Sequence, residues 1–190
     1  MLRSVFGLLA YLVLFASPAI GQDIRYQPDP DTPIGVRNPA APPQTAEFDF
    51  LIGDWDAAIT LRTTNGQTLN YIAHWHNVWI VDGFVVMQEW RGPYSSGSEI
   101  RQFNAQLGHW EGVNIYAGSG TPQSTTARFE NGEMVVTAHK VDDERGPVIG
   151  RETYFNITED SFEMRADQSY DDGETWERGV YEMTVTRRDM

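Results

Sequence analysis

The sequence predicts an all-β protein whose strands form one antiparallel, up-and-down barrel of about ten strands. Runs rich in Val, Ile, Thr and aromatic residues follow one another after the first quarter of the chain, separated by Gly, Asn and Asp. Short connections favour the pairing of each strand with the next, and no long segment has a helical period. Closure of such a meander into a barrel removes both of its unpaired edges.

The expected strands follow from this pattern. We expect them near 54–64, 67–81, 84–91, 98–105, 110–117, 123–130, 133–140, 148–157, 161–169 and 175–187. Tight turns are predicted at Asn65-Gly66, Asp82-Gly83, Asn131-Gly132 and Asp172-Gly173, because these residue types tolerate the positive φ angles of hairpins. A two-sheet sandwich is the alternative, although it usually needs longer crossing connections.

Two further segments precede the barrel, which we place at 47–190. Arg3, the apolar run from Val5 to Phe15 and the small residues of Ala19-Ile20-Gly21 predict a signal peptide over residues 1–21. Residues 22–46 hold six prolines and few large apolar side chains, which predicts a disordered, extended tether. We therefore expect a periplasmic or secreted protein that does not insert into a membrane after cleavage.

Composition argues against two classes of partner. The chain has 190 residues, with 14 basic and 27 acidic residues and a net charge of −13. Nucleic acids and anionic membranes both require a cationic surface, so we expect neither as a partner. The sequence contains no cysteine, so the hydrophobic core has to stabilise an exported fold without disulfides.

The register of the first two strands decides which side chains enter the lumen, because neighbouring residues of a strand face opposite sides. A two-residue turn at Asn65-Gly66 would pair residues whose numbers sum to 131, and would turn His74 and His76 inward. A three-residue turn with a glycine bulge gives a sum of 130, and turns Trp75 and Trp79 inward instead. We favour the second register, since burial of tryptophan is the more favourable.

Histidines in the second strand offer a candidate metal site. His74 and His76 share one face, and with His139 or Glu89 they would provide the nitrogen and oxygen ligands that zinc or iron accepts. The carboxylate that a cupin-type site places shortly after its second histidine is missing, because Ile80 and Val81 stand there. Histidines that face solvent are the alternative, and we expect no metal and no cofactor.

Polar residues of the third to fifth strands are expected to face the lumen. Glu89 and Arg91 share a face, and Arg101 follows on the next strand. Such groups would orient the polar end of a ligand or act as an acid–base pair, and a cross-strand ion pair is the alternative. The expected ligand-binding residues are Trp75, Trp79, Glu89, Arg101, Trp110, Asn114 and Tyr116.

The last hairpin carries a turn motif. The segment from Ser169 to Trp176 fits S-x-D-x-G-x-T-W, which resembles the Asp-box of sialidase propellers. We expect Asp171 to accept backbone N–H groups, Gly173 to adopt a positive φ and Trp176 to pack beneath the turn. The motif therefore predicts a stabilised turn and does not imply a glycosidase.

Several motifs resemble a known group of barrels. Gly53-Asp54-Trp55 resembles the G-x-W signature of lipocalins and their calycin relatives, in which an arginine of the last strand packs on the tryptophan. That resemblance assigns structural roles to Gly53, Trp55 and one of Arg187 and Arg188. Residues 48–188 further resemble uncharacterised bacterial lipocalin-like domains. The motifs are an F-x-F-x-x-G-x-W opening from Phe48, the W-x-x-D-G hairpin at Trp79, the later Arg101, Phe103 and Trp110, and the hairpin Ser169–Trp176.

The resemblance implies the fold and says little about function. Nitrobindin-type relatives bind haem through a histidine late in the chain, but no histidine follows His139 here, so we do not expect haem. Three functions stay open: an exported barrel that binds a small apolar or amphipathic molecule, a small-molecule or sugar-modifying lyase, isomerase or hydrolase, and a filled barrel that serves as an envelope interaction domain. We favour the first, and the sequence leaves the oligomeric state open.

Overall fold

The protein folds as a closed antiparallel barrel of ten strands. The structure is a computed structural model that describes residues 30–31 and 33–188, including their side chains except those of residues 140–143. The strands are β1 (Gly53–Arg62), β2 (Thr68–Ile80), β3 (Val85–Arg91), β4 (Ser96–Asn104), β5 (His109–Tyr116), β6 (Gln123–Glu130), β7 (Glu133–Asp143), β8 (Gly146–Phe155), β9 (Ser161–Ser169) and β10 (Glu177–Arg187). Each strand pairs with the next, and β10 pairs with β1. The predicted up-and-down barrel is therefore confirmed, and the architecture is consistent with a lipocalin-like fold.

The predicted turns lie where the chain needs positive φ angles. Asn131 and Gly132 have φ angles of 55° and 83°, and Glu130 pairs directly with Glu133 across them. This geometry is that of a two-residue hairpin whose turn matches the twist of its strands. Asp82, Gly83, Asp172 and Gly173 also have positive φ angles.

The register of β1 and β2 is the favoured one. Trp55 pairs with Trp75 and Ile59 pairs with Tyr71, so paired residue numbers sum to 130. Gly66 has a φ of 80° in the three-residue turn between Thr63 and Gln67, which a backbone bond of 2.8 Å closes. Trp75 and Trp79 consequently face the interior, and His74 and His76 face solvent.

One end of the barrel is closed by a 3₁₀-helix, Pro43–Leu51, that precedes β1. Phe48 and Leu51 of this helix are fully buried, as is Trp55 at the start of β1. Phe48 meets the ring of Trp110 edge-on at 4.7 Å, and the Trp55 indole N–H donates to the Leu51 carbonyl at 2.8 Å. These contacts form an apolar closed end, so access to the lumen is from the opposite end.

The segment before the helix differs from the predicted tether where the structure describes it. Gly35 bridges to Trp79, Asn38 and Ala41 are buried, and so is Thr45 in the first turn of the helix. The Asn38 backbone N–H donates to the carbonyl of Gly83 at 3.1 Å, and a side chain at Gly83 would collide with this segment. The expectation of disorder therefore does not hold for residues 35–46. The predicted signal peptide and residues 22–29 lie outside the described residues.

The described residues include no helix that is long and apolar enough to cross a membrane.

Candidate functional site

A cavity of about 990 Å³ occupies the lumen and opens at the end that carries the β1–β2 loop. Its size lies near the upper end of the roughly 300–1,000 Å³ that is usual for small-molecule sites. Large apolar side chains of β1–β3 and β8–β10 form most of the inner wall. They are Leu61, Tyr71, Trp75, Trp90, Val148, Met164, Tyr181 and Met183.

The aromatic part of the wall is held by ring contacts and one hydrogen bond. Trp75 and Trp90 are paired across β2 and β3, with ring centres 5.7 Å apart at 84°. The Trp90 ring lies 6.5 Å from Tyr181, and its indole N–H donates to the Ser95 hydroxyl at 3.2 Å. Such edge-on pairs fix the ring planes, so the cavity presents rigid aromatic surfaces to a ligand.

The cavity becomes polar towards its floor. Glu99 of β4 lies 2.7 Å from the Arg101 guanidinium, and its other oxygen accepts a hydrogen bond of 3.0 Å from the Tyr116 hydroxyl. Across the lumen, the Tyr154 hydroxyl donates to Glu152 of β8 at 2.9 Å. Both carboxyl groups line the cavity, whereas Arg101 lies beneath the floor and is 1% exposed. The floor thus has two carboxyl groups, with one buried cation beneath it.

Burial and charge set the protonation of this floor. Burial, reinforced by the charge of Glu99, raises the pKa of Glu152 to about 7, although Arg101 and the Tyr154 hydroxyl oppose the rise. Burial lowers the pKa of Arg101, but Glu99, Tyr154 and Glu152 outweigh that effect, and its net pKa is raised. The charge of Glu99 and burial raise the pKa of Tyr116. At neutral pH, Arg101 is therefore charged, Tyr116 is a hydrogen-bond donor and Glu152 is close to its titration point.

A row of polar side chains runs along the barrel wall at the level of Glu99. Asn77 pairs with Gln88, Gln88 with Glu99, Glu99 with Asn114 and Asn114 with Gln123, on five consecutive strands. Within the described part of the chain, the amide atoms of Asn77 and Gln88 and the Asn114 side-chain oxygen have no hydrogen-bond partner. An unpaired buried polar group costs roughly 1–3 kcal/mol. Hydrogen bonds from water or from polar atoms of a ligand would therefore stabilise this row.

Gly112 makes room for Arg101. These residues are paired across β4 and β5, and a Cβ atom at Gly112 would come within 2.8 Å of the Arg101 side chain. The Arg101–Glu99 contact is close enough for an ion pair but is not aligned as a hydrogen bond. The guanidinium therefore retains unused donors beneath the floor.

Paired charges surround the mouth of the cavity. Arg145 forms two hydrogen bonds with Glu177, of 2.8 and 2.6 Å, and lies 3.8 Å from the centre of the Tyr170 ring. Arg151 binds the fully buried Asp167 at 2.9 Å. Hydrogen bonds from Arg151, Gly179 and Arg165 outweigh burial and lower the pKa of Asp167. These pairs connect separate parts of the rim, because Arg145 of the β7–β8 turn binds Glu177 of β10 and Arg151 of β8 binds Asp167 of β9.

The residues predicted to bind ligand fall into three locations. Trp75 and Tyr116 line the cavity. Trp79, Arg101, Trp110 and Asn114 are buried at or below the floor, and Trp110 donates its indole N–H to Glu47 at 3.0 Å. Glu89 is on the outside, where it binds Arg91 at 2.6 Å, so its expected lumenal orientation is wrong. The four-residue connection between Ile80 and Val85 sets this parity and turns Gln88 and Trp90 inward instead.

The candidate metal ligands are not brought together. His74 and His76 face solvent and bind Asp56 and Asp54, each at 2.7 Å, and His139 is exposed. The described residues contain no group of three His, Cys, Asp or Glu side chains that could hold a metal ion. His74 and His76 belong to cross-strand pairs on the outer face.

The expected structural residues have the geometry that the sequence suggested. The Arg187 guanidinium lies 4.0 Å from the Trp55 ring and donates to the Ile52 carbonyl at 3.1 Å. A side chain at Gly53 would collide with that guanidinium. In the last hairpin, Asp171 accepts the Thr175 N–H at 2.8 Å, Gly173 has a φ of 90°, and Trp176 donates to the Gly173 carbonyl at 3.0 Å.

Sequence reasoning missed the two lumenal carboxyl groups, Glu99 and Glu152, and the wall residues Trp90 and Tyr181. The signal was present in the alternation of each strand, once Trp75 was placed inward. Trp90 is the cross-strand partner of the inward-facing Trp75. Glu99 precedes Arg101 by two residues on the same strand, so both face the same side. The lengths of the intervening loops were needed for that pairing, and the sequence did not specify them.

Comparisons with known proteins support the fold alone. No family model matches the chain, and no curated protein matches it. Among solved structures, the chain is similar to the crystal structure of Rv2717c from M. tuberculosis, with a TM-score of 0.51 and 12% sequence identity. The match covers 78% of this chain and 99% of that one. A likeness at this identity shows a shared barrel and carries no information about ligand or activity.

Proposed function

We propose that the protein binds a small amphipathic molecule in the lumen of its barrel. The observation that carries the proposal is the gradient within the cavity, from an aromatic and methionine-lined wall to a floor of Glu99, Glu152, Tyr116 and Tyr154. An apolar body would lie against the wall, and each buried CH₂ group would contribute about 0.8 kcal/mol. A polar end would reach the floor, where few and fixed polar groups determine orientation.

A neutral fluorescent probe tests this function. N-phenylnaphthylamine becomes bright on entering an apolar site, so titration of the full-length chain should show saturable enhancement. Ala166→Phe adds a ring on the inner wall of the cavity and should weaken probe binding at least about tenfold, because it fills the space that the probe needs.

The matched control is Ala58→Phe, which adds the same ring on the exposed outer face of β1. It should leave probe affinity unchanged. Equal loss in both variants, or no saturable enhancement in the unmodified protein, would contradict lumenal binding.

An enzyme is the second candidate, and one observation favours it. Glu99 lies against Arg101, whereas Glu152 has a pKa raised to about 7 by burial and by Glu99. Two carboxyl groups in different environments are the usual arrangement for acid–base chemistry near neutral pH. Under this alternative, Glu152→Gln would abolish turnover of a lumenal substrate, whereas under the first it would only alter affinity.

The proposal also covers the family to which the protein is related and its location in the cell. Kinship with the bacterial lipocalin-like domains is supported by Trp55 and Arg187 at the closed end and by the turn at Asp171. Export to the periplasm or beyond is supported by the sequence of residues 1–21. The third function, a filled barrel that serves as an interaction domain, has less support because the lumen contains an open cavity.

A further inference from the structure

The floor of the cavity has more carboxyl groups than cations, whereas the lining arginines Arg62, Arg145, Arg151 and Arg178 lie at the mouth. Glu99 and Glu152 both line the cavity, and Arg101 is the cation that faces them within the described structure. Arg101 lies on the same strand as Glu99 and forms its ion pair with that residue, at 2.7 Å. Glu152 is left with a hydrogen bond from the neutral Tyr154 hydroxyl.

The two strands beside Glu152 place no cation next to its carboxyl group. Val136 of β7 and Ala166 of β9 are its direct cross-strand neighbours, and neither is charged. The titratable groups that act on Glu152 or respond to it are Glu99, Arg101, Tyr116, Tyr154 and Tyr181. Glu152 is only partly exposed, and a carboxylate that loses part of its contact with water is disfavoured unless a cation accompanies it.

The surroundings of Glu152 also suit an organic cation. Tyr154 adjoins it, Tyr116 and Tyr181 line the same cavity, and the Trp75 ring lies 6.2 Å from that of Tyr154. Aromatic faces attract ammonium groups, and the attraction increases where water is excluded. The net charge of −13 raises the local concentration of cations around the molecule.

We propose that the polar end of the lumenal ligand is an ammonium group, which pairs with Glu152 and lies among the tyrosine rings of the floor. This inference rests on the proposed lumenal binding function and names the chemical class of its ligand. The apolar part of such an amine would occupy the wall formed by Trp75, Trp90 and the methionines.

Three probes that share one alkyl chain test the charge preference: octylamine, octanol and octanoate, each titrated by calorimetry into the full-length chain. At about pH 8, octylamine should bind about tenfold more tightly than octanol, because Glu152 is then ionised. An alkylammonium has a pKa of roughly 10 and therefore stays charged at both pH values. Lowering the pH to about 6 protonates Glu152, and this should weaken octylamine binding about tenfold. Octanol binding should not change with pH.

Glu152→Gln should remove both the amine preference and its pH dependence while octanol still binds. The matched control is Glu163→Gln, which removes a carboxylate from the outer face of β9, where it binds Asn156. This control should keep the amine preference.

The outcomes separate the two proposals. Octanol binding without an amine preference, or an amine preference that survives in Glu152→Gln, would overturn the ammonium assignment alone. Tighter binding of octanoate would also overturn it and would indicate that Arg101 selects an anion. Failure of all three probes to bind would overturn the lumenal binding function together with the inference.

Discussion

Two glycines leave the space that Arg187 and Arg101 occupy. Gly53 has a φ of 128° and no side chain, so the Arg187 guanidinium can cover the Trp55 ring. Gly112 leaves space for the stem of Arg101 beneath the cavity floor. The first glycine belongs to a motif that the sequence displays, and the second is visible only once β4 and β5 are aligned. Motif recognition therefore predicted that Arg187 or Arg188 covers Trp55, and it missed the two carboxyl groups of the floor.

Glu152 gives the protein a pH-dependent stability. Its pKa in the folded chain is about 7, raised by burial and by Glu99, against roughly 4.3 in an unfolded chain. Between these two pKa values the folded chain retains a proton that the unfolded chain has lost. The free energy of unfolding therefore falls as pH rises through this range, and the full loss is reached above pH 7. Relative to Glu152→Gln, the unmodified protein should lose roughly 3 kcal/mol of unfolding free energy between about pH 4 and pH 8.

Urea unfolding across this pH range checks the prediction as the difference between the two proteins. Glu163→Gln serves again as the control, and its difference curve should be flat. Parallel curves for the unmodified protein and Glu152→Gln would show that Glu152 ionises normally in the fold.

The last hairpin shows how one element stabilises itself. Asp171 accepts hydrogen bonds from the Thr175 side chain and backbone and from Ser169, and these bonds lower its pKa to about 2. Trp176 lies beneath the turn and contacts the Arg151 guanidinium, 3.9 Å from its ring centre. The turn thereby connects the end of β9 to an arginine of β8 at the rim of the cavity.

Replacing Asp171 by Asn should lower the melting temperature by a few degrees at neutral pH, because the amide accepts fewer of these bonds. The folded pKa of about 2 lies below the unfolded value of roughly 3.9, so the carboxylate stabilises the fold above about pH 4. The difference from the unmodified protein should shrink as pH falls from about 4 towards 2. Thermal unfolding followed by circular dichroism measures it.

Glu174→Gln removes a neighbouring exposed carboxylate from the same turn and should change the melting temperature little. A loss as large as that of Asp171→Asn would mean that net charge, and not the hydrogen bonds of Asp171, stabilises the hairpin.

The strands were predictable because each one is bounded by residues that favour turns. All ten expected strands are present, and their ends differ from the observed ones by at most three residues. The register of β2 was also predictable, since only one register buries Trp75 and Trp79. The orientation of β3 was not, because Val85, Val86, Met87 and Trp90 place apolar residues on both of its faces. Glu89 was therefore assigned to the wrong side.

The whole molecule combines a closed end and an open cavity in one barrel. Pairing of β10 with β1 joins the ends of the chain's meander, and the 3₁₀-helix fills the end beside Trp55. Closure was predictable, because an open meander would expose two edges. The packing of residues 35–46 was not, because a proline-rich composition gives no sign of the bridge between Gly35 and Trp79.

The central claim is that the lumen accepts a small molecule through its open end, and methionine methyl groups report on it directly. Of the six methionines in the chain, Met164 and Met183 line the cavity, Met134 is fully buried outside it, and Met87 borders the outer surface. With isotope-labelled methionine methyl groups, saturating N-phenylnaphthylamine should shift the NMR signals of Met164 and Met183 and leave those of Met134 and Met87 in place. Shifts confined to Met87, or no shift at the two cavity methionines despite bound probe, would contradict a lumenal site.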